Sequence, residues 1–474
     1  MSRVALACFL AGALALPAAG CGSSSSTGAA GAAIAPAGTQ VFISIDTTFD
    51  SSNWEAGRSL LAKFPDGDGA LSRLLEQLTS QGVDFERDVR PALGPETDLV
   101  ALDLSGSGAI VGLTQPQDRE KLAALLRKAD ASLVTREVAG WTVFADSDAN
   151  LDEFEQMRKE GTLDSGAYRD ISGAVAEDGL VHVYVAGEAL QATPLRGVFG
   201  ADAPALAFSL KPEGGGVRLE GAAKPVSSDL FSDEFKAALP AEVPRGVFAY
   251  VGASNVERQL SALRDVLAEA APGLERVLER AEAELGVSLE EDVFPLFAEE
   301  SALYVRPGFP IPEVTLVTQV DDEQGAVETL DKLGVGLAEY FAGAEPTSVD
   351  VAGVNAKQVA INDFVSLYYA AFDGNLVLTT SRQGIAALRS ENGRLADSEA
   401  FKEALSEAGT PDETTGFVYV NLTEALPAVL GLLGAGGLDV PAWVSANLEP
   451  LQSLVLWGER DGDLATFTGF LSIQ

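Results

Sequence analysis

The chain has 474 residues, 47% of them hydrophobic, and its 70 acidic residues against 32 basic ones give a formal net charge of −38. This charge repels nucleic acid and anionic lipid headgroups, which excludes nucleic acid as a partner and electrostatic adsorption to a membrane. Two cysteines leave no basis for a disulfide scaffold, so the fold depends on its hydrophobic cores, and the length suffices for two or three of them.

The first 21 residues have the pattern of a bacterial lipoprotein signal. Arg3 precedes an apolar segment at 4–16 that is too short to cross a bilayer, and Ala18-Ala19-Gly20 supplies the small residues that a signal peptidase requires. The run that ends at Cys21 resembles a lipobox. We expect cleavage before Cys21 and acylation of its thiol, which would anchor the protein to the cell membrane from outside the cytoplasm. The alternative is an ordinary secretory signal cut near Ala19 or Gly20.

The remaining chain divides into a linker and two folded parts. Residues 21–38 are rich in Ser, Gly and Ala and predict a flexible linker with a reach of roughly 20–25 Å, enough to hold an acidic body away from an acidic membrane. We predict a first α+β repeat at 39–228, a connecting helix at 229–238 and a second repeat at 239–474. The signal peptide occupies 1–20.

An internal duplication is the basis of this division. Gly82–Pro91 aligns without gaps to Gly286–Pro295, 204 positions later. Val138-Ala139-Gly140 then matches Val351-Ala352-Gly353, and further matches follow in the same order, which is the sequence signature of a repeated unit.

Each copy predicts strands and helices in a similar order. The predicted strands of the first copy lie at 41–45, 99–104, 109–114, 141–145, 181–186, 206–210 and 217–222, and its helices at 54–63, 70–80 and 118–128. Those of the second copy lie at 247–251, 302–306, 313–319, 356–361, 365–372, 376–380, 416–422, 454–459 and 465–471, with helices at 256–269, 273–285 and 322–339. This order indicates an α+β fold of two duplicated units, each a mostly antiparallel sheet with helices packed on one face.

Several of these segments resemble a known family. They are Asn53-Trp54-Glu55, the run Leu60–Pro65, Asp88-Val89-Arg90-Pro91 and Ser398–Lys402, which precedes a late strand. Together with the extracytoplasmic start they are similar to the bacterial family of domain of unknown function 3352, over most of residues 36–474. The resemblance implies an α+β extracytoplasmic protein and brings no established activity or active site.

The sequence offers no catalytic, cofactor or metal motif. The single histidine, His182, lies within an apolar strand, and no cysteine or carboxylate flanks it at ligand spacing. No Gly-x-Ser-x-Gly elbow is present. The acidic run 146–153 lacks the glycine and the final glutamate of a calcium loop, and we interpret it as a helix start capped by Asp148.

Residues Ala425–Val440 form an apolar, glycine-containing segment that is too short to span a membrane. The simplest interpretation is a helix buried against the second sheet. The alternatives are a flap over a hydrophobic ligand or a docking surface for a partner.

These observations favour a membrane-tethered, non-enzymatic lipoprotein of the cell envelope that acts as a binding or scaffolding module. Its partners would be the membrane, through the lipid on Cys21, and a protein or apolar ligand at the second unit. The alternatives are a carrier of a lipid or other apolar ligand and a carboxylate-dependent hydrolase. We predict no cofactor.

Overall fold

The computed structural model describes residues 29–104, 108–191, 203–226, 232–270, 272–308, 311–340, 346–362, 365–390 and 392–474. The predicted signal peptide and Cys21 lie outside the described residues. Within the described part of the chain, no helix combines the length and the apolar character that crossing a bilayer requires.

The first half alternates strands and helices. Its strands are β1 (Val41–Asp46), β2 (Glu96–Ala101), β3 (Ile110–Thr114), β4 (Val134–Val138), β5 (Trp141–Ala145), β6 (Val181–Val185), β7 (Ala205–Glu213) and β8 (Gly216–Lys224). Its helices are α1 (Ser52–Leu61), α2 (Gly67–Ser80), α3 (Arg119–Ala129), α4 (Asp148–Arg158), α5 (Ala167–Ser172) and α6 (Gly187–Gln191). A 3-10 turn at Ala30–Ala33 precedes β1, and a π-helical turn at Phe85–Val89 precedes β2.

The second half follows a similar order. Its strands are β9 (Ala249–Ser254), β10 (Glu300–Arg306), β11 (Glu313–Gln319), β12 (Thr347–Val351), β13 (Val354–Ala360), β14 (Ser366–Phe372), β15 (Asn375–Thr379), β16 (Gly416–Asn421), β17 (Leu451–Asp461) and β18 (Leu464–Ile473). Its helices are α7 (Val256–Ala270), α8 (Pro272–Leu285), α9 (Glu323–Tyr340), α10 (Arg382–Arg389), α11 (Glu399–Ala408), α12 (Leu422–Ala435) and α13 (Ala442–Leu448). Short turns lie at Leu239–Ala241, Leu289–Val293, Phe294–Phe297 and Leu395–Asp397.

All named strands belong to one sheet, and every pairing is antiparallel. The first half has the order β4-β5-β3-β2-β1-β6-β7-β8. The second has β18-β17-β16-β9-β10-β11-β15-β14-β13-β12. Strands β8 and β18 pair from Ala223↔Ala465 to Gly216↔Ser472, which joins the halves into a continuous sheet. The predicted α+β class with an antiparallel sheet is therefore confirmed.

The hairpins Val138–Trp141 and Val351–Val354 occupy matching places in the two halves. Their central residues, Ala139-Gly140 and Ala352-Gly353, all have positive φ, as a two-residue hairpin turn that follows strand twist requires. Where the second half has the strands β12 to β15, the first half has only β4 and β5.

The prediction that helices pack on one face of the sheet is wrong. Phe144 contacts the core that contains Leu122 and Leu126 of α3, whereas its neighbour Val143 belongs to the core that contains Leu151 and Phe154 of α4. Successive residues of a strand point to opposite faces, so helices cover both faces of the first half. Each face therefore has its own apolar pattern, which makes the strands almost continuously hydrophobic.

Two further boundaries differ from the prediction. The predicted linker ends earlier than residue 38, because Ala32, Ile34 and Ala35 are buried in the first core. The predicted connecting helix at 229–238 is wrong over its described residues 232–238, where Phe235 instead forms a β-bridge to Thr414. Pairing to the second half satisfies this backbone in place of helical hydrogen bonds.

Candidate functional site

One face of the sheet in the second half carries uncovered apolar side chains. We call it the apolar face, and it consists of two rows that cross strands β9, β10, β11, β16 and β17. The first row is Leu316, Leu303, Val251, Val418 and Leu456, each opposite the next, and it continues to Leu378 of β15. The second row is Val314, Val305, Ala249, Val420 and Leu454.

None of these side chains is fully buried, and the centre of the apolar face is the most accessible part. Leu303 and Val251, on the central strands, are 43% and 40% exposed, and Val314, at one end of the second row, is 37% exposed. On the opposite face of the same strands, Tyr250 and Tyr304 are completely buried. These strands are therefore buried on one face only, although their side chains are apolar on both faces.

Helix placement explains the difference from the first half. There, α1 packs against β7, and its Trp54 is buried together with Ile45 of the sheet. In the second half, α7 also follows the first strand, but it packs against the turn Phe294–Phe297 and α8. The apolar face crosses six strands from β15 to β17, and a strand spacing of about 4.8 Å makes it about 24 Å long.

The helices α12 and α13 lie beside the apolar face, where α12 packs against β16 and β17. Neither helix has a buried residue. Leu438 is 61% exposed and Trp443 67%, and Val429, Leu432 and Leu433 are also exposed. The interpretation of Ala425–Val440 as a helix buried against the sheet is therefore wrong, and this segment adds to the accessible apolar surface.

The charged residues within α12 and α13 and directly beside them in the sequence are all acidic. The sequence has no Lys or Arg between Lys402 and Arg460, whereas Glu424, Asp439 and Glu449 lie within or beside the two helices. Negative charge next to an apolar surface disfavours an anionic ligand.

A separate cavity of about 310 Å³ lies on the other face of the sheet, in the first half. The aromatic rings of Phe42, Tyr168, Tyr184 and Phe208 line it. Tyr168 meets Phe42 edge-to-face at 5.9 Å between ring centroids and Tyr184 at 5.3 Å. His182, Asp164 and Glu177 supply its ionisable wall, and the exposed Arg169 also lines it.

A row of polar residues runs through the sheet at this cavity. Asp98 pairs with Ser44, and Ser44 pairs with His182, so the three side chains are neighbours on one face. Asp98 is completely buried, and neither of its carboxylate oxygens has a hydrogen-bond partner in the described structure. Burial, followed by the charge of Glu96, raises the pKa of Asp98 well above its usual value. Its acid form is therefore favoured.

The histidine is held neutral in the same way. Burial lowers the pKa of His182, and the carboxylate of Glu96 acts in the opposite direction. Its Nε2 atom is buried without a hydrogen-bond partner among the described residues. The sequence showed no ligand set around His182, and the structure places this residue in the wall of the cavity.

The Asp-Ser-His row does not have the geometry of a catalytic triad. In a triad the imidazole lies between the nucleophile and the carboxylate, because it accepts a proton from one and donates to the other. Here Ser44 is the middle residue, and it is buried. The order of the three strands therefore gives this row no route for proton transfer from Ser44 through His182 to Asp98.

Glu96 is anchored by the polypeptide backbone. It accepts hydrogen bonds from Ala30 N at 3.0 Å and Gly31 N at 2.9 Å, in the turn that the sequence assigned to a flexible linker. Glu300 accepts the corresponding bonds from Ala238 N and Leu239 N in the second half. Sequence reasoning missed Glu96 and Asp98; two acids at alternate positions of an apolar strand were the available signal.

The acidic run at 146–153 begins a helix, as predicted, but its cap is Ser147 rather than Asp148. The Ser147 side chain accepts from Asn150 N, and Asp148 and Asp152 form ion pairs with Arg136. In the described part of the chain, no three His, Cys, Asp or Glu side chains are grouped so that they could hold a metal ion.

Comparison with known proteins identifies the family. A family model described as "Protein of unknown function (DUF3352)" matches residues 164–456. The chain belongs to this family. The match includes the apolar face and α12, and it confirms the family to which the sequence was found similar. Of the motifs that suggested it, Ser398–Lys402 lies within the matched residues. Among solved structures, crystal form IV of the protein TP0453 shares 11% identity over 48% of this chain and 76% of its own, with a TM-score of 0.23. Curated proteins give no match.

Proposed function

We propose that this DUF3352 protein is a non-enzymatic lipoprotein, tethered outside the cytoplasm, that binds the hydrocarbon part of a lipid on its apolar face. The observation that carries the proposal is the accessibility of Leu303, Val251 and Val314 on a sheet surface whose two rows are entirely apolar. Contiguous exposed apolar surface of this kind is typical of interaction sites in soluble proteins.

The dimensions and chemistry of the face suit an acyl chain. A membrane leaflet holds its chains within about 15 Å, half of a hydrocarbon core of about 30 Å, so a face about 24 Å long can accept one completely. The two rows contain no polar side chain. An extended peptide laid on them would leave its backbone polar groups unpaired, whereas a hydrocarbon chain has none.

The acidic residues in the sequence of α12, α13 and their flanks favour one class of headgroup. Because Glu424, Asp439 and Glu449 stand without a nearby basic residue in the sequence, a neutral or zwitterionic lipid is favoured over an anionic one. A tether would keep the protein where such lipids are concentrated.

The proposed tether is the acylated Cys21, and it supplies membrane attachment that a net charge of −38 opposes. Globomycin should block processing, and Cys21→Ser should move the protein from the membrane fraction to the soluble fraction. Membrane association that persists in Cys21→Ser would contradict the tether without bearing on the apolar face.

We also infer that the two halves are copies of one duplicated unit. The shared strand order, the matching Ala-Gly turns and the equivalent anchoring of Glu96 and Glu300 support this inference. The second copy would then have lost the helix packing that covers the corresponding face in the first copy.

Lipid transfer from vesicles tests the binding proposal. Pyrene-labelled phosphatidylcholine should leave donor vesicles for the wild-type protein, and the phosphatidylglycerol analogue should transfer less. Leu303→Gln should weaken transfer about tenfold, because the amide would be buried against hydrocarbon. The matched control is Leu104→Gln, which alters a leucine of similar exposure, 48%, in the first half.

Equal transfer by wild type, Leu303→Gln and Leu104→Gln would contradict lipid binding at the apolar face. A protein that takes up no lipid, yet binds a partner protein in a manner that Leu303→Gln abolishes, would replace the lipid with a protein ligand and support a scaffolding role instead. The hydrolase alternative has less support, because Glu96 is 7% exposed and Asp98 is completely buried, out of reach of a substrate.

A further inference from the structure

We propose that the cavity in the first half is a second binding site, and that it takes a small organic cation such as a primary or quaternary ammonium group. The proposal goes beyond lipid binding and does not depend on it. The cavity and the apolar face lie on opposite faces of the sheet and in different halves, so they take different ligands.

The aromatic wall supplies the first part of the argument. Phe42, Tyr168 and Tyr184 line the cavity, and Tyr168 contacts the other two rings edge-to-face at 82° and 78°. Rings set at right angles to one another present ring faces in more than one direction. The negative face of an aromatic ring attracts an ammonium group. The volume of about 310 Å³ is far more than the roughly 30 Å³ share of one water molecule.

Electrostatics supply the second part. Nearby negative charge acts on the pKa of two groups in the wall, Tyr168 and His182. Burial raises the pKa of Tyr168, and the carboxylates of Glu96 and Asp164 raise it further. For His182 the largest charge effect comes from Glu96. Two carboxylates, Asp164 and Glu177, line the cavity beside one basic side chain, Arg169, so the lining is net negative. The lining also includes the neutral imidazole of His182, whose Nε2 atom lacks a partner among the described residues.

The polar row at the cavity is replaced in the second half by residues without charge. By strand register, Ala302, Gly252 and Phe417 hold the places of Asp98, Ser44 and His182. The ring of Phe417 stacks on Tyr250 at 5.1 Å, and no charged side chain remains in the row.

The aromatic residue that the neighbouring helix contributes is also more deeply buried in the second half than in the first. Phe401 of α11 meets Tyr419 at 5.0 Å and 85°, much as Tyr168 of α5 meets Tyr184. Phe401 is fully buried, whereas Tyr168 is only partly buried. The same framework thus encloses an apolar core in one half and an open, negatively polarised aromatic cavity in the other.

Calorimetric titration of the full-length mature protein with choline, and with its uncharged isostere 3,3-dimethylbutan-1-ol, tests the proposal. We expect saturable choline binding at least about tenfold tighter than binding of the alcohol, since the two differ only in charge. Tyr168→Phe keeps the ring and should bind choline within about threefold of wild type, whereas Tyr168→Leu should bind it about tenfold more weakly.

Thermal midpoints of the two Tyr168 variants would establish that both fold. Leu303→Gln, on the apolar face, should leave choline binding unchanged. Equal affinity for choline and the alcohol, unaltered choline binding in Tyr168→Leu, or no saturable binding of choline would each overturn the proposal.

Discussion

At the scale of single residues, the absence of a side chain at Gly31 makes room for the carboxyl group of Asp98. A Cβ atom on Gly31 would lie 1.8 Å from Asp98 Oδ2, far inside van der Waals contact. We expect Gly31→Ala to destabilise the protein by about 1–3 kcal/mol, because a buried carboxyl under a backbone turn has nowhere to move. Urea denaturation measures this change.

The second half indicates how the clash is relieved. Leu239 and Ala302 hold the places of Gly31 and Asp98, so a larger residue in the turn accompanies a smaller one in the strand. Gly31→Ala combined with Asp98→Ala should recover most of the lost stability. The control is Gly431→Ala in the exposed helix α12, which meets no atom within 4 Å and should stabilise the protein by about 0.5–1 kcal/mol. A harmless Gly31→Ala would contradict this packing.

Asp98 also predicts a specific dependence of stability on pH. Because its pKa is raised by burial, the folded state keeps a proton that the unfolded chain releases above about pH 3.9. The free energy of unfolding therefore falls as pH rises from 3.9 towards the folded-state pKa, by up to about 1.4 kcal/mol per pH unit.

Asp98→Asn removes this titration, so the variant should gain stability relative to wild type between pH 4 and pH 7. Denaturant midpoints at pH 4, 5.5 and 7 measure the difference. A constant difference across this range would show that Asp98 titrates normally.

At the scale of elements, the π-helical turns before β2 and β10 are equivalent in backbone and different in charge. Asp88 accepts from Asp84 N, Arg87 and Lys128, and the hydrogen bond from Arg87 is the main cause that lowers its pKa. Asp292 accepts from Ser288 N and follows Glu291, where the first turn has Arg87.

Asp88→Asn should therefore cost about 0.5–1.5 kcal/mol at pH 7, and Asp292→Asn less. A lowered pKa stabilises the fold above the unfolded value of about 3.9, so the cost of Asp88→Asn should be full at pH 7 and should shrink progressively as pH falls from about 3.9 towards the lower pKa of the folded state. Thermal unfolding at pH 7 measures the two costs, and at pH 3 the cost of Asp88→Asn should be smaller than at pH 7. Equal costs for the two variants would remove the role assigned to Arg87 and Lys128.

The sequence predicted the secondary-structure elements better than the contacts between them. Alternation and turn residues located β14 and β15 around Asp373-Gly374, whose positive φ angles fit a tight hairpin. The hydrophobic pattern could not show that α12 is exposed, because an apolar helix has the same pattern against a sheet or beside an uncovered face. The segment 232–238 failed as a helix because its pairing partner, Thr414, is remote in the sequence.

The candidate site was harder to predict for the same reason. The cavity joins Phe42, Tyr168 and His182 from separate elements, and only strand register brings Asp98 next to Ser44. No spacing along the chain records these contacts. The apolar face likewise depends on where α7 and α8 pack, which local periodicity does not determine.

At the scale of the whole molecule, the pairing of β8 with β18 makes the halves interdependent. Separating them would expose two long strands whose backbone groups are paired across the seam from Gly216 to Ala223. Unpaired edges of this kind associate with other chains. We therefore expect residues 29–226 and 232–474, produced separately, to aggregate or oligomerise, and to assemble into one complex when produced together.

Size-exclusion chromatography with light scattering measures these states, with the full chain as the reference. Two halves that are each monomeric and do not bind one another would contradict a sheet that is continuous through β8 and β18.

Native mass spectrometry of the protein purified from membranes tests lipid binding most directly. The account predicts that wild type and Leu104→Gln carry an additional mass, released by collision, that corresponds to a neutral or zwitterionic lipid, and that Leu303→Gln carries little or none. Protein without bound lipid in all three samples, or the same lipid on Leu303→Gln as on wild type, would contradict the assignment of the apolar face as the binding site.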